Sequence, residues 1–237
     1  MEDAAQAGAG MRSIIFDLDG TLADTSADLV AAANAVFTRA GHSAQLDPLR
    51  DMATAFGGGR AMLRLGYQRL GLPADTARID AGYDALLEAY EARIDAQTRL
   101  YPGVVQALDR LGGAGYALGV CTNKPTPLAE LLLQRLGVRD RFAALVGAGC
   151  VATRKPDPEP YMETIRRLNR GSRGSMLVGD TVTDRDTARA VGVPVALVGF
   201  GPMGADVAQL APDAVLDHYD GLDVIAAQLL TGAQGGG

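Results

Sequence analysis

The chain reads as a doubly wound, Rossmann-like parallel α/β core with a small all-α domain inserted after its first strand. Three observations carry that reading. From about Tyr101 onward, short runs that are apolar throughout alternate with helical patterns, as strands covered on both faces by helices must. Residues 25 to 97 break that rhythm and contain helical segments without a convincing strand. Two of the apolar runs end in paired carboxylates, Asp17-Leu18-Asp19 and Asp180-Thr181-Val182-Thr183-Asp184, which places acids at the carboxyl ends of strands, where open α/β sheets bind ligands.

The first strand is Ser13-Ile14-Ile15-Phe16. Helices are expected at Ala27–Ala40, Asp47–Phe56, Arg60–Leu70 and Thr76–Ala96, separated by connectors such as Gly41-His42-Ser43 and Gly71-Leu72-Pro73. This 25–97 block is expected to form a cap that excludes water and contacts a substrate. The core is expected to comprise 11–24 and 98–231. Its later elements are helix Gly103–Leu111, strand Tyr116–Cys121, helix Pro127–Leu136, strand Ala143–Val146 and helix Pro160–Leu168. Strand Ser175–Val178, helix Asp184–Val191, strand Val193–Val198, a short strand Ala214–Leu216 and helix Leu222–Leu230 complete it. Glycines after the helices and Ser, Thr or Pro before them supply the stops and starts. The Ala/Gly-rich start, 1–10, and the tail, 232–237, are expected to be disordered.

Composition narrows the function. A net charge of -6 argues against nucleic acid or an anionic membrane as a partner, since either needs a basic patch. No apolar run approaches the ~20 residues that span a bilayer, and the N-terminus lacks the basic and apolar segments of a secretory signal. Cys121 and Cys150 stand far apart in no metal-binding pattern, which suits reduced thiols in the cytoplasm. Monomer or small homo-oligomer is the expected state. Of the 22 basic residues only Lys124 and Lys155 are lysine. Both precede proline in loops that follow apolar runs. A compact ammonium in a tight pocket and a residue of codon bias both account for that.

Alternate residues beyond a strand end project to one side, so Asp17 and Asp19 face one small volume. Two carboxylates that close repel unless a proton or cation neutralises them. Mg²⁺, which favours oxygen ligands, is the expected cofactor. Thr122 and Asn123 follow a second strand, Lys155 a third, and Asp180 with Asp184 a fourth. Acids that hold a metal, with hydroxyl, amide and ammonium groups for phosphate oxygens, form an inventory for phosphoryl transfer. The glycine-rich nucleotide cradle is absent from the sequence. A carboxylate is then the natural phosphoryl acceptor, and a second carboxyl nearby can protonate the leaving oxygen and later activate water. Asp17 and Asp19 suit those two roles.

Asp17-Leu18-Asp19-Gly20-Thr21-Leu22, Thr122-Asn123-Lys124-Pro125, Lys155-Pro156-Asp157-Pro158 and Val178-Gly179-Asp180-Thr181 with Asp184 together resemble the motifs of the haloacid-dehalogenase-like hydrolases, within them the phosphoglycolate-phosphatase-like branch. The likeness spans nearly all of residues 12 to 230 and includes Tyr101-Pro102-Gly103-Val104. It implies a Mg²⁺-dependent phosphomonoester hydrolase that works through an aspartyl-phosphate, with 2-phosphoglycolate as the favoured substrate. It further implies Asp17 as nucleophile and Asp19 as general acid/base. Asp17, Asp180 and the Asp19 carbonyl would surround the metal, Asp184 would act behind them, and Thr122, Asn123 and Lys155 would bind phosphate. Lys124 joins them as a substrate-binding candidate. Thr181 stands where serine is commoner in that family, and Arg154 where a second lysine often precedes Lys155. The Gly147–Cys150 stretch carries no readable chemistry.

In the insert, Gly57-Gly58-Gly59-Arg60 opens a helix. Either Arg60 and these amides receive a substrate carboxylate, or the segment is a hinge with a surface arginine. Other small phosphorylated metabolites remain alternative substrates, among them sugar phosphates and nucleoside monophosphates. A sugar phosphomutase fits less well, because Thr21 stands where such relatives carry an apolar residue. A calcium loop fits poorly, because Leu22 occupies its glycine position and Asp28 its glutamate position. A non-catalytic binding module on the same fold is the reading from another class.

Overall fold

The computed structural model describes residues 12–231, so the expected disordered tails lie outside the described residues. The chain divides into two compact units, one ending at Leu22 and resuming at Tyr101, the other spanning Ala23–Leu100.

The first unit holds a six-stranded sheet of β1 (Ser13–Phe16), β4 (Ala117–Pro125), β5 (Ala144–Ala148), β6 (Ser175–Gly179), β7 (Val195–Val198) and β8 (Ala214–Leu216). The order is β5-β4-β1-β6-β7-β8 and every pairing is parallel. Helices α5 (Val104–Gly113), α6 (Thr126–Arg135), α7 (Glu159–Arg167), α8 (Val182–Val191) and α9 (Leu222–Thr231) connect and cover it. Parallel strands need such crossovers, and coverage on both faces removes any polar side. Thus Ile15, Leu177 and Leu197 pack with Tyr161, Ile165 and Ala188 of α7 and α8, while Ile14 and Phe16, pointing the other way, are also fully buried.

β4 runs on to Pro125, past the expected end at Cys121, but its register against β5 breaks between Cys121 and Pro125. The break lets Thr122, Asn123 and Lys124 leave the regular alternation. β7 begins at Val195 rather than Val193, because Pro194 has no N–H to give a neighbouring strand.

The second unit contains helices α1 (Ser26–Arg39), α2 (Met52–Phe56), α3 (Gly59–Arg69) and α4 (Thr76–Glu91). The Phe37 and Tyr67 rings of α1 and α3 meet edge to face at 5.2 Å. Asp51 takes a two-pronged bond from Arg69 at 2.6 and 2.7 Å. α2 starts later than the periodicity predicts, because the Asp47 carboxylate accepts the Leu49 and Arg50 amides and holds a turn there. α4 stops at Glu91 rather than Ala96. Beyond it the buried Asp28 carboxylate collects the Gln97 and Thr98 amides and the Thr98 hydroxyl. The unit also has a strand pair, β2 (Ala23–Asp24) with β3 (Arg99–Leu100), antiparallel. Two-residue strands are too short to leave a sequence periodicity, so the all-helical expectation missed them.

Candidate active site

Neighbouring strands β1 and β6 send their chains in opposite directions: β1 leads to β4 on one side, and β6 leads to β7 on the other. Such a divergence opens a crevice at the carboxyl ends of the strands. Asp17 stands at the end of β1, its amide donating to the Val178 carbonyl at 2.9 Å, and Asp180 follows β6. Lys155, in the loop before α7, brings its Nζ 2.7 Å from Asp184 Oδ1 and 3.1 Å from Asp17 Oδ1. Lys124 Nζ lies 2.6 Å from Asp19 Oδ1. Both lysines of the chain thus sit among the acids, with side chains only 1% and 4% exposed.

Four carboxylates, Asp17, Asp19, Asp180 and Asp184, face two ammonium groups, so ionising all of them leaves two uncompensated negative charges in a largely buried space. The titration behaviour follows. Burial pushes the Asp17 carboxyl up, the Lys155 ammonium opposes this, Asp184 and Asp19 add repulsion, and the result stands at about 6 against an ordinary 3.8. Asp180 is raised well above its usual range by burial and then by its acidic neighbours Asp184 and Asp17. Burial would also raise Asp184, but the Lys155 ammonium and the Thr181 donors outweigh it and hold it low. Lys155, penalised by burial, is held firmly charged by Asp17 and Asp184.

The donor set fits a hard divalent cation. Carboxylate oxygens of Asp17, Asp180 and Asp184 lie within 4.8 Å of one another. Asp180 Oδ2 is buried without a hydrogen-bond partner, and Asp17 Oδ1 has only the ionic contact with Lys155. Buried anionic oxygens left so are costly unless a cation meets them, and two surplus charges match one divalent ion. Asp184 differs, because both its oxygens are already used. Oδ1 takes the Lys155 ammonium. Oδ2 takes the Asp180 and Thr181 amides at 3.2 and 3.1 Å and the Thr181 hydroxyl at 2.7 Å. Asp184 therefore braces the loop that carries Asp180, from the first turn of α8.

The structure brings Asp17, Asp19, Lys124, Lys155, Asp180 and Asp184 together, with Thr122 and Asn123 at the adjoining end of β4. Asn123 uses its side chain on the backbone of Lys155: its amide donates to the Lys155 carbonyl and its oxygen accepts the Lys155 N–H, each at 3.0 Å. The Thr122 hydroxyl accepts from the Lys124 amide at 3.2 Å. Arg60 belongs to the second unit, where it pairs with Asp80 at 2.7 Å and lies over the Tyr83 ring, 4.0 Å from its centre.

Three supporting contacts escaped the sequence reading. The Thr21 hydroxyl donates to Asp180 Oδ1 at 2.9 Å, and the Tyr219 hydroxyl donates to the Thr21 carbonyl at 2.8 Å. Gly147 lies against the backbone after Asn123; a Cβ there would fall 2.7 Å from the Lys124 carbonyl oxygen and 2.9 Å from Thr126. That explains a glycine in a stretch with no chemistry of its own. Spacing alone gives no signal for any of these tertiary contacts.

A parallel α/β sheet with a carboxylate at the end of a central strand, a lysine against it and further acids beside it is an arrangement suited to a hydrolase. The profile of the haloacid dehalogenase-like hydrolases matches residues 14–198, and the chain belongs to that family. Among its curated relatives, it is 38% identical over 222 residues to a phosphoglycolate phosphatase of Mesorhizobium japonicum, covering 94% of this chain and 97% of the relative. It is 32% identical over 211 residues to an N-acetylmuramic acid 6-phosphate phosphatase of Pseudomonas aeruginosa, covering 88% and 91%. A solved structure of a phosphoglycolate phosphatase predicted for Haemophilus somnus shares the fold, with a TM-score of 0.81 at 23% identity over 91% of this chain and 97% of that one.

Proposed function

We propose that the chain is a Mg²⁺-dependent phosphomonoesterase that works through a phosphorylated Asp17, with 2-phosphoglycolate as its substrate. The observation that carries the reading is Asp17 held beside a buried lysine, Lys155, with a second carboxyl, Asp19, two residues on and paired with Lys124. Asp17 attacks phosphorus in line, and the ester P–O bond breaks. Asp19 serves as general acid and passes a proton to the departing alkoxide oxygen. As a carboxylate it then takes a proton from water, which attacks phosphorus, releases inorganic phosphate and restores Asp17. Lys155 and the Thr122 hydroxyl neutralise and orient the phosphate oxygens. Asn123 and Asp184 fix Lys155 from its backbone and its ammonium respectively. Asp17, Asp180 and the Asp19 carbonyl would hold the Mg²⁺, which when bound supplies charge neutralisation for the phosphoryl group.

The substrate rests on the relatives. Both phosphatase names denote phosphorylated acids, and Arg60 is our candidate for the substrate carboxylate. Reducing conditions suit the free Cys121 and Cys150, and we place the enzyme in the cytoplasm. No helix among the described residues is long and apolar enough to cross a membrane.

Initial rates of phosphate release over a panel of phosphomonoesters, with and without Mg²⁺, test the reading. We expect kcat/KM for 2-phosphoglycolate to exceed that for N-acetylmuramic acid 6-phosphate, sugar phosphates and nucleotides, and chelation to stop turnover. A profile that peaks on another ester reassigns the substrate; phosphate release that survives chelation removes the metal. Replacing Arg60 with Ala should raise KM about tenfold or more for carboxylated esters, the loss expected of a charged hydrogen bond, and leave KM for an aryl phosphate unchanged.

A further inference from the structure

We infer that Thr21 and Tyr219 form a two-step brace that aims the Asp180 carboxylate at the metal. The inference deepens the proposed function and rests on its metal site. Thr21 is fully buried, and its hydroxyl occupies Asp180 Oδ1 at 2.9 Å, while Asp180 Oδ2 remains buried with no hydrogen-bond partner. One oxygen is thereby fixed and the other left for a cation. A carboxylate on a short side chain still turns about two torsions, and the repulsion of Asp17 and Asp184 in the same cluster would otherwise turn it away. Thr21 is itself held from a distance. Tyr219, also fully buried, follows β8 and donates to the Thr21 carbonyl at 2.8 Å. Its ring is fixed in turn by Phe200, centroid to centroid 5.5 Å, and Phe200 by Tyr101 at 5.0 Å.

Tyr219 lies beyond residues 14–198, the part of the chain that the family profile matches. A segment outside the signature motifs therefore reaches the metal site through one backbone carbonyl. Loss of a group that orients a ligand typically weakens metal affinity by about 10- to 100-fold.

Calorimetric titration of the metal-free chain with Mg²⁺ tests this, together with Tm measured without metal. Thr21→Val keeps the shape and removes the donor, and we expect its Mg²⁺ dissociation constant to rise about tenfold or more. Thr21→Ser keeps the donor and should stay within about threefold of wild type. Tyr219→Phe should weaken binding in the wild-type background but add almost nothing in the Thr21→Val background, since its effect passes through Thr21. Equal Mg²⁺ affinity in wild type and Thr21→Val overturns the brace while leaving the metal site standing. Fully additive losses, or a Ser variant as weak as Val, overturn it too. Should Thr21→Val not fold, the Ser and Phe variants decide: normal affinity in Tyr219→Phe overturns the brace. A wild-type chain that takes up no Mg²⁺ overturns the metal site itself and the brace with it.

Discussion

Asp17 is asked to be an anion where anions are unwelcome, and the residues around it show how that is managed. Lys155 pairs it with Asp184, so one ammonium serves two carboxylates. Breaking such a buried arrangement from one side leaves an uncompensated charge, at a cost of about 3–5 kcal/mol. Lys155 therefore holds the fold together at this point, besides its proposed part in binding phosphate. Replacing Asp17 with Asn removes one of the repelling charges and keeps the shape. We expect phosphate release to fall by about 10⁴-fold or more, as when a nucleophile is deleted, while Tm without metal stays level or rises. Substantial turnover in that variant would falsify the nucleophile assignment; a large drop in Tm would contradict the charge balance.

At the level of the element, α8 is seated on β6 through Gly179. A Cβ there would lie 2.4 Å from Cβ and Cγ of Asp184, so Gly179→Ala must push the first turn of α8 outward. Overpacking of this kind costs about 1–3 kcal/mol. Because Asp184 holds both the Asp180 loop and Lys155, we expect kcat to fall with stability, read by urea denaturation beside initial rates. The alternation of apolar runs with helical patterns was enough to anticipate the strands of the parallel sheet, including Ala214–Leu216, since burial on both faces leaves a strong signature. Boundaries shifted where side chains captured backbone amides, as at Asp47 and Asp28. The acids and lysines of the site were legible because their types are unusual at strand ends. Asn123 stood out in the sequence as a candidate, but its bonds to the Lys155 backbone did not. Thr21, Tyr219 and Gly147 act through contacts between distant parts of the chain, and a linear pattern has no period for those.

For the molecule as a whole, the acid cluster couples stability to pH and to metal. Between its ordinary 3.8 and about 6, the folded metal-free chain keeps a proton on Asp17 that the unfolded chain has released. Stability therefore falls as pH rises through that window, by on the order of 3 kcal/mol at about 1.4 kcal/mol per pH unit. Asp180 acts in the same direction, and Asp184, held low, acts oppositely only below its ordinary value. Mg²⁺ held by the proposed site would stabilise the ionised form, so we expect the gain in Tm on adding it to be larger at pH 7.5 than at pH 5. Thermal melts with Mg²⁺ or a chelator check this, and a gain that does not vary with pH would contradict it. The strand order has a consequence of another kind. Ser13 pairs with Ala117 on one side and with Ser175 on the other, so β1 is made before either neighbour and waits longest for β6. Until β6 has emerged, a nascent chain displays one long side of an apolar strand with open amides and carbonyls, the template that misassembly uses. Contacts so distant in sequence also slow refolding, because each loop must close before it is rewarded. The arrangement that puts Asp17 at the middle of the sheet thus leaves that acid's surroundings unfinished until β6 has been made.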